Sequence, residues 1–101
     1  MTRLVVTPEA DADASKIITY LHREAGTRVA EVYRARFERM LSRLVEVPWI
    51  GAPRPALGPH TRIVIVQPYL LIYDFASDSG TLTLLRILHS RRNVTPELLP
   101  R

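Results

Sequence analysis

The chain has 101 residues, enough for one domain with a modest core and too few for a second. With 47% hydrophobic and 24% charged residues it is not a disordered chain, and the absence of cysteine excludes disulfide staples and thiolate metal sites. The net charge of +4 rests almost wholly on arginine, Lys16 being the only lysine, which fits an acidic protein or a nucleic acid as partner.

The first segment, TRLVVT (2–7), is short and β-branched and predicts a strand. Thr7 follows as a helix N-cap, Pro8 as the first helical residue, and Glu9 and Asp11 as acids in the positive first turn. Ala10, Ala14, Ile17, Ile18 and Leu21 recur at helical spacing until Gly26, which tolerates the left-handed conformation, ends the helix. Thr27 caps a second, longer helix. Its apolar stripe is Ala30, Tyr33, Phe37, Met40, Leu41 and Leu44, of which Tyr33, Phe37, Leu41 and Leu44 are read as core, and Pro48 ends it. So short a connection makes the two helices an antiparallel hairpin.

The stretch VPWIGAPRPALGPH (47–60) is too rich in proline and glycine for a helix and predicts a surface loop. TRIVIVQ (61–67), YLLIYDFA (69–76) and TLTLLRILH (81–89) predict three strands. Pro68 breaks the first connection, and the turn 77–80 offers Gly80 for a positive φ. Tight connections between apolar strands argue for antiparallel hairpins with one face buried against the helices. The order β-α-α-β-β-β gives an α+β fold over residues 1–101, with 94–101 as a C-terminal tail. That tail carries Leu98 and Leu99 between two prolines, so it is not a regular helix and its leucines dock on the body or on a partner. No apolar run is long enough to cross a membrane and the start lacks a signal-peptide pattern, so the chain is expected to be soluble and cytoplasmic.

Several segments taken together, TPEADADASKIITYLHREAG, VPWIGAPRPAL, Arg62 opening a strand, YLLIYDF and LLRILHSRRN, resemble the ParE branch of the RelE/ParE toxins of type II toxin–antitoxin systems. The resemblance runs from about residue 4 to 93. It implies a curved antiparallel sheet packed against the helical hairpin. It also implies growth inhibition by poisoning DNA gyrase, and neutralisation by a ParD-type antitoxin whose C-terminal segment lies along a groove of the toxin, in a hetero-oligomer. The RelE branch, which cleaves messenger RNA on the ribosome, shares the fold, so fold alone does not choose between the activities. A non-toxic antitoxin-binding module of the same fold is a third reading.

Cleaving RNA needs a general base, a general acid and cations for the developing phosphorane charge. If the chain is a ribonuclease, the resemblance puts Arg62 and Arg86 at phosphate-binding strand positions, and His89 is the side chain that supplies an acid or base. The companions are missing: no lysine pair precedes Arg62 and no tyrosine follows His89. The preferred reading has no catalytic residue, no metal and no cofactor, since His22, His60 and His89 lack ligand spacing. His89 then reads as a strand-end residue whose ring bonds the backbone. Strand alternation puts Leu84, Arg86 and Leu88 on one face and Leu85 and Ile87 on the other, so Arg86 is a half-buried cation that needs a partner. Asp74, reached diagonally if residue 74 opposes 83, is the expected one. Arg91, Arg92 and Asn93, beyond the last strand, are candidates for contact with an acidic partner. Tyr20 is a candidate for the edge of the antitoxin groove. Trp49, in the proline-rich loop, either plugs the helix–sheet seam, the favoured reading, or forms an exposed anchor to a partner.

Overall fold

A computed structural model describes all residues, Met1–Arg101. Strand β1 (Arg3–Val6) leads into helix α1 (Pro8–Ala25) and helix α2 (Thr27–Glu46). The two-residue strand β2 (Ala52–Pro53), β3 (Thr61–Val66), β4 (Tyr69–Ala76) and β5 (Thr81–His89) follow, and a single 3₁₀ turn at Pro96–Leu98 stands in the tail. The five strands form one sheet in the order β1-β5-β4-β3-β2. The sheet is antiparallel except at β1, which pairs parallel with β5, Arg3 opposite Thr81 and Val6 opposite Leu84. The purely antiparallel expectation fails there because the whole helical hairpin and three strands, β2, β3 and β4, intervene before the chain returns beside β1. A long crossover lets two strands run in the same sense.

The local signals behave as their chemistry predicts. Thr7 Oγ1 accepts from the Ala10 N–H at 3.0 Å, closing the N-terminus of α1. Gly26 (φ 92°) turns the chain between the helices and Gly80 (φ 68°) closes the β4–β5 turn. Gly26 itself is the N-cap of α2, with no side-chain cap, so Thr27 is the first helical residue and not the cap expected from its hydroxyl.

The sheet is buried on both faces, where the sequence led us to expect one. On the helix side, Ala10, Ile18 and Leu21 of α1 and Ala30, Phe37 and Leu44 of α2 pack against Val64, Val66, Leu71, Tyr73, Phe75, Leu82, Leu84 and Ile87. The opposite face holds a smaller cluster of Leu57, Ile63, Ile72, Leu85, Leu88 and Leu99, with Leu70, Val94 and Leu98 at its margin. The tail thus docks on the body through its two leucines. Arg101 fastens its end, donating to both Asp74 carboxylate oxygens, the Thr61 hydroxyl and the Leu57 carbonyl.

One irregularity decides where the arginine of β5 points. Ile72 opposes Arg86 but Tyr73 opposes Leu84, so Leu85 is an extra residue without a partner on β4, a β-bulge. The bulge breaks the alternation: Leu84 and Ile87 face the helices, while Leu85 and Leu88 join the opposite cluster. The face assignment made from strict alternation is therefore corrected, since one inserted residue flips every side chain beyond it.

If the tail is part of the core, replacing Leu99, which is 8% exposed, by alanine removes a packed side chain. Urea denaturation should show a loss of about 2 kcal/mol for Leu99→Ala. An unchanged midpoint would mean that the tail is not docked in solution.

Candidate functional site

The end of β5 is shaped by the early end of its neighbour. β1 stops at Val6, and Thr7 gives the last bond of that ladder, its N–H donating to the Leu84 carbonyl at 3.1 Å. Beyond this point the outer edge of β5 has no strand beside it, and side chains of the β1–α1 corner take over. The Thr7 hydroxyl donates to the Leu85 carbonyl at 2.9 Å, and Asp13 Oδ2 accepts from the Ile87 N–H at 3.0 Å. The same carboxylate accepts from Arg86 Nε at 2.7 Å and, through Oδ1, from Nη2 at 2.9 Å. Arg86 Nη1 donates to the Leu98 carbonyl of the tail at 2.9 Å. With side-chain exposures of 18% and 11%, Arg86 and Asp13 form a largely desolvated fork. The hydrogen bonding of its guanidinium to Asp13 pushes the Arg86 pKa up from its ordinary value, against the opposing effect of burial.

Asp13, and not Asp74, is therefore the partner of Arg86. The register expected for Asp74 is correct, since it opposes Thr83. It serves the tail instead, through Arg101, and accepts from the Thr61 hydroxyl at 2.5 Å. Sequence reading assigned Glu9 and Asp11 to the first helical turn and gave Asp13 no role. A signal was available: Asp13 lies three residues after Ala10 and four before Ile17, on the apolar stripe, where an acid needs a buried partner.

Arg62, at the start of β3, also has a structural position. Its Nη1 donates to the carbonyls of Gly51 (2.7 Å) and Trp49 (3.2 Å), and its guanidinium lies over the Trp49 ring, 5.0 Å from the centroid. Tyr73, fully buried, completes the anchorage of this loop. Its hydroxyl donates to the Pro48 carbonyl at 2.7 Å and accepts from the Gly51 N–H at 2.9 Å. Burial raises the Tyr73 pKa, opposed by the Gly51 N–H and by Arg62. A Cβ at Gly51 would meet the Tyr73 hydroxyl at 2.5 Å and its ring at 2.8 Å, so glycine is required by close approach. Trp49 meets Phe75 edge-on, with centroids 4.8 Å apart, yet is 55% exposed. It covers the seam with one edge and presents the rest to solvent.

His89 ends β5 opposite Tyr69, edge to face at 5.8 Å, and its Nδ1 accepts from the Arg91 N–H at 3.0 Å. This is the backbone bond expected of a strand-end histidine. Arg91, Arg92 and Asn93 follow it and are exposed. Tyr20, 51% exposed, stands on α1 with Arg23 over its ring. It lies close enough to Tyr69 to help raise that phenol's pKa, after burial and Tyr33, which puts it toward the His89 end of the sheet. Trp49 belongs to the other end. Its neighbour Phe75 is six residues along β4 from Tyr69, or roughly 20 Å. The five contact candidates thus divide into two regions: Arg91, Arg92, Asn93 and Tyr20 toward one end, and Trp49 at the other.

Nor do Arg62, Arg86 and His89 meet. Arg86 opposes Ile72 of the tail-side cluster, whereas Arg62 opposes Tyr73 and His89 opposes Tyr69, both of the helix-side cluster. Arg62 and His89 share a face but stand at opposite ends of the sheet. No group of three or more His, Cys, Asp or Glu side chains is placed to hold a metal ion, and no helix is long and apolar enough to cross a membrane.

The architecture is that of a small α+β protein, a helical hairpin laid on a mixed sheet, with its arginines divided between internal fasteners and an exposed strand end. A family model, ParE toxin of type II toxin–antitoxin system, parDE, matches residues 4–94, and the chain belongs to that family. A solved structure of the chromosomal ParDE toxin–antitoxin system from P. aeruginosa shares the fold. Its TM-score is 0.73 at 23% sequence identity, over 88% of this chain and 96% of the other. No curated protein matches the sequence.

Removing one member of a buried ion pair leaves the other charge uncompensated. Asp13→Asn should lower stability by about 3 kcal/mol in chemical denaturation, and the double variant Asp13→Leu with Arg86→Met should recover most of that loss. Equal stability of wild type and Asp13→Asn would mean that the fork is not formed. For the loop, Gly51→Ala should cost about 1–3 kcal/mol by overpacking against Tyr73. A thermal midpoint unchanged by that substitution would contradict the close approach.

Proposed function

We propose that this chain is a toxin that acts by contact, binding DNA gyrase and poisoning it, and that a ParD-type antitoxin holds it inactive. Family membership makes it a type II toxin. The solved structure that shares its fold is of a ParDE system, which brings a ParD-type antitoxin into the reading. The observation that carries the choice of contact over RNA cleavage is the occupation of Arg86. Three of its nitrogens are committed to Asp13 and to the Leu98 carbonyl. A phosphate would have to displace an intramolecular carboxylate already held in bidentate geometry. Arg62 is similarly occupied by two loop carbonyls and faces the other side of the sheet. With Arg86 engaged, Arg91 and Arg92 are the arginines of this strand end left to steer an acidic partner, and Asn93 adds a neutral donor and acceptor beside them.

Purified protein added to gyrase and relaxed plasmid should block supercoiling and accumulate cleaved DNA, while leaving a translated message intact on ribosomes. Message cleavage with supercoiling unaffected would replace this reading by the RelE-type one. The charge reversal Arg91→Glu with Arg92→Glu should reduce growth inhibition on induction by about tenfold or more, the loss of roughly 1.4 kcal/mol of binding. Undiminished toxicity would remove both arginines from the functional surface.

A further inference from the structure

Nine large hydrophobic side chains are exposed, and three of them, Val47, Trp49 and Ile50 at 48%, 55% and 38%, stand within four residues of the loop after α2. Single exposed hydrophobics are ordinary on a protein surface, whereas a cluster marks a contact site. The loop beneath them is held firmly. The Ile50 N–H bonds the Val47 carbonyl at 3.3 Å, and the Tyr73 hydroxyl takes the Pro48 carbonyl and the Gly51 N–H. Arg62 takes the Trp49 and Gly51 carbonyls, and β2 begins at Ala52. A buried tyrosine, an arginine and a glycine with no room for a Cβ thus fix a segment whose side chains stand in water. Closing the seam does not require this, since the indole meets Phe75 and still leaves more than half of its surface open. What a fixed indole offers is binding, because a side chain already held in place loses little freedom when a partner covers it.

Arg62 adds a second element. Its Nη1 serves both loop carbonyls, while Nε and Nη2 bond nothing in the chain and Arg62 forms no ion pair. No buried side-chain nitrogen lacks a partner, so both atoms reach the surface. The Nε–Nη2 edge of a guanidinium matches a carboxylate side-on, with two parallel hydrogen bonds. It stands beside the indole, for the guanidinium carbon lies 5.0 Å from the ring centroid. From Val47 to His60 the loop contains no acid that could claim it.

We propose that residues 47–50 are a rigid anchor for the toxin's target, a protein surface with an apolar slot for the Trp49 indole and a carboxylate at its mouth for the free edge of Arg62. Val47 and Ile50 seal the rim of that slot and exclude water from it. Aliphatic neighbours on both sides of the indole favour a protein over a nucleic acid, which would bring phosphates against them. Two copies of this loop face to face are disfavoured, because neither supplies the carboxylate. The anchor rests on the reading of the chain as a toxin that acts by contact, and not on gyrase being what it contacts. It lies at the other end of the sheet from Arg91 and Arg92, so the two are separate contacts.

The test is growth inhibition on induction, at matched soluble protein levels. Ile50→Asp charges an exposed position and leaves the bonds of Arg62 and Tyr73 in place, whereas Trp49→Ala removes the anchor itself. Each should lower toxicity by about tenfold or more, with a thermal midpoint showing that the variant is folded. Trp49→Phe, which keeps an aromatic ring for the slot, should retain most of the toxicity. Trp49 is the only tryptophan, so biosynthetic 5-fluorotryptophan reports on this side chain alone. Its fluorine resonance should shift or broaden as purified gyrase is added, in step with the loss of supercoiling, and a short single-stranded oligonucleotide should leave it unmoved. The proposal is overturned by full toxicity of folded Ile50→Asp, by gyrase inhibition that leaves the resonance unmoved, or by an oligonucleotide that moves it. Growth inhibition is read whatever the target is, so a toxin that spares gyrase refutes the gyrase reading while the variants still decide the anchor.

Discussion

The fold depends on how the open edge of β5 is closed beyond the end of β1. A parallel neighbour that stops early leaves backbone groups exposed at the heart of the molecule, where an unpaired donor costs about 1–3 kcal/mol. Asp13 resolves this from the first turns of α1 by accepting the Ile87 N–H and the Arg86 fork together. Arg86 passes the constraint on to the tail through the Leu98 carbonyl, so one carboxylate links helix, sheet edge and tail. The bulge at Leu85 is part of the same arrangement, because it sets the face from which Arg86 leaves the strand.

This arrangement changes how an arginine-rich strand end is read. Four basic side chains within residues 86–92 resemble a site when viewed as a string. In three dimensions Arg86 is an internal fastener, His89 holds the chain as it leaves the sheet, and only Arg91 and Arg92 face solvent. Arg62 repeats the pattern at the other end, holding the Trp49–Gly51 loop beside the Tyr73 hydroxyl. In a toxin of this family, surface and scaffold are therefore separated residue by residue. The exposed features left over include the strand-end arginines, Tyr20 and the outer part of Trp49.

Much of this architecture was legible in the sequence because it is carried by local chemistry. Thr7 and Pro8 announced α1, the spacing from Ala30 to Leu44 announced the buried face of α2, and Pro68 and Gly80 placed the turns between the long strands. What escaped was non-local. The parallel pairing of β1 depends on where the chain returns 78 residues later, from Arg3 to Thr81, and a bulge leaves no mark in an apolar run such as LTLLRIL. The partner of Arg86 lies 73 residues away along the chain, so turn counting from β4 pointed to Asp74. The second core on the tail side was hidden for a related reason: Leu98 and Leu99 between prolines show no periodicity that would name their docking face.

The central claim is that Arg86 serves the scaffold and not the chemistry of the toxin. It is tested most directly by the growth inhibition caused by the double variant Asp13→Leu with Arg86→Met, measured on induction at matched soluble protein levels. Toxicity equal to that of the wild type is the predicted result, because the pair is replaced by an apolar contact and the exposed arginines are untouched. A variant that folds as the wild type does and yet permits normal growth would contradict the account and return Arg86 to the active surface.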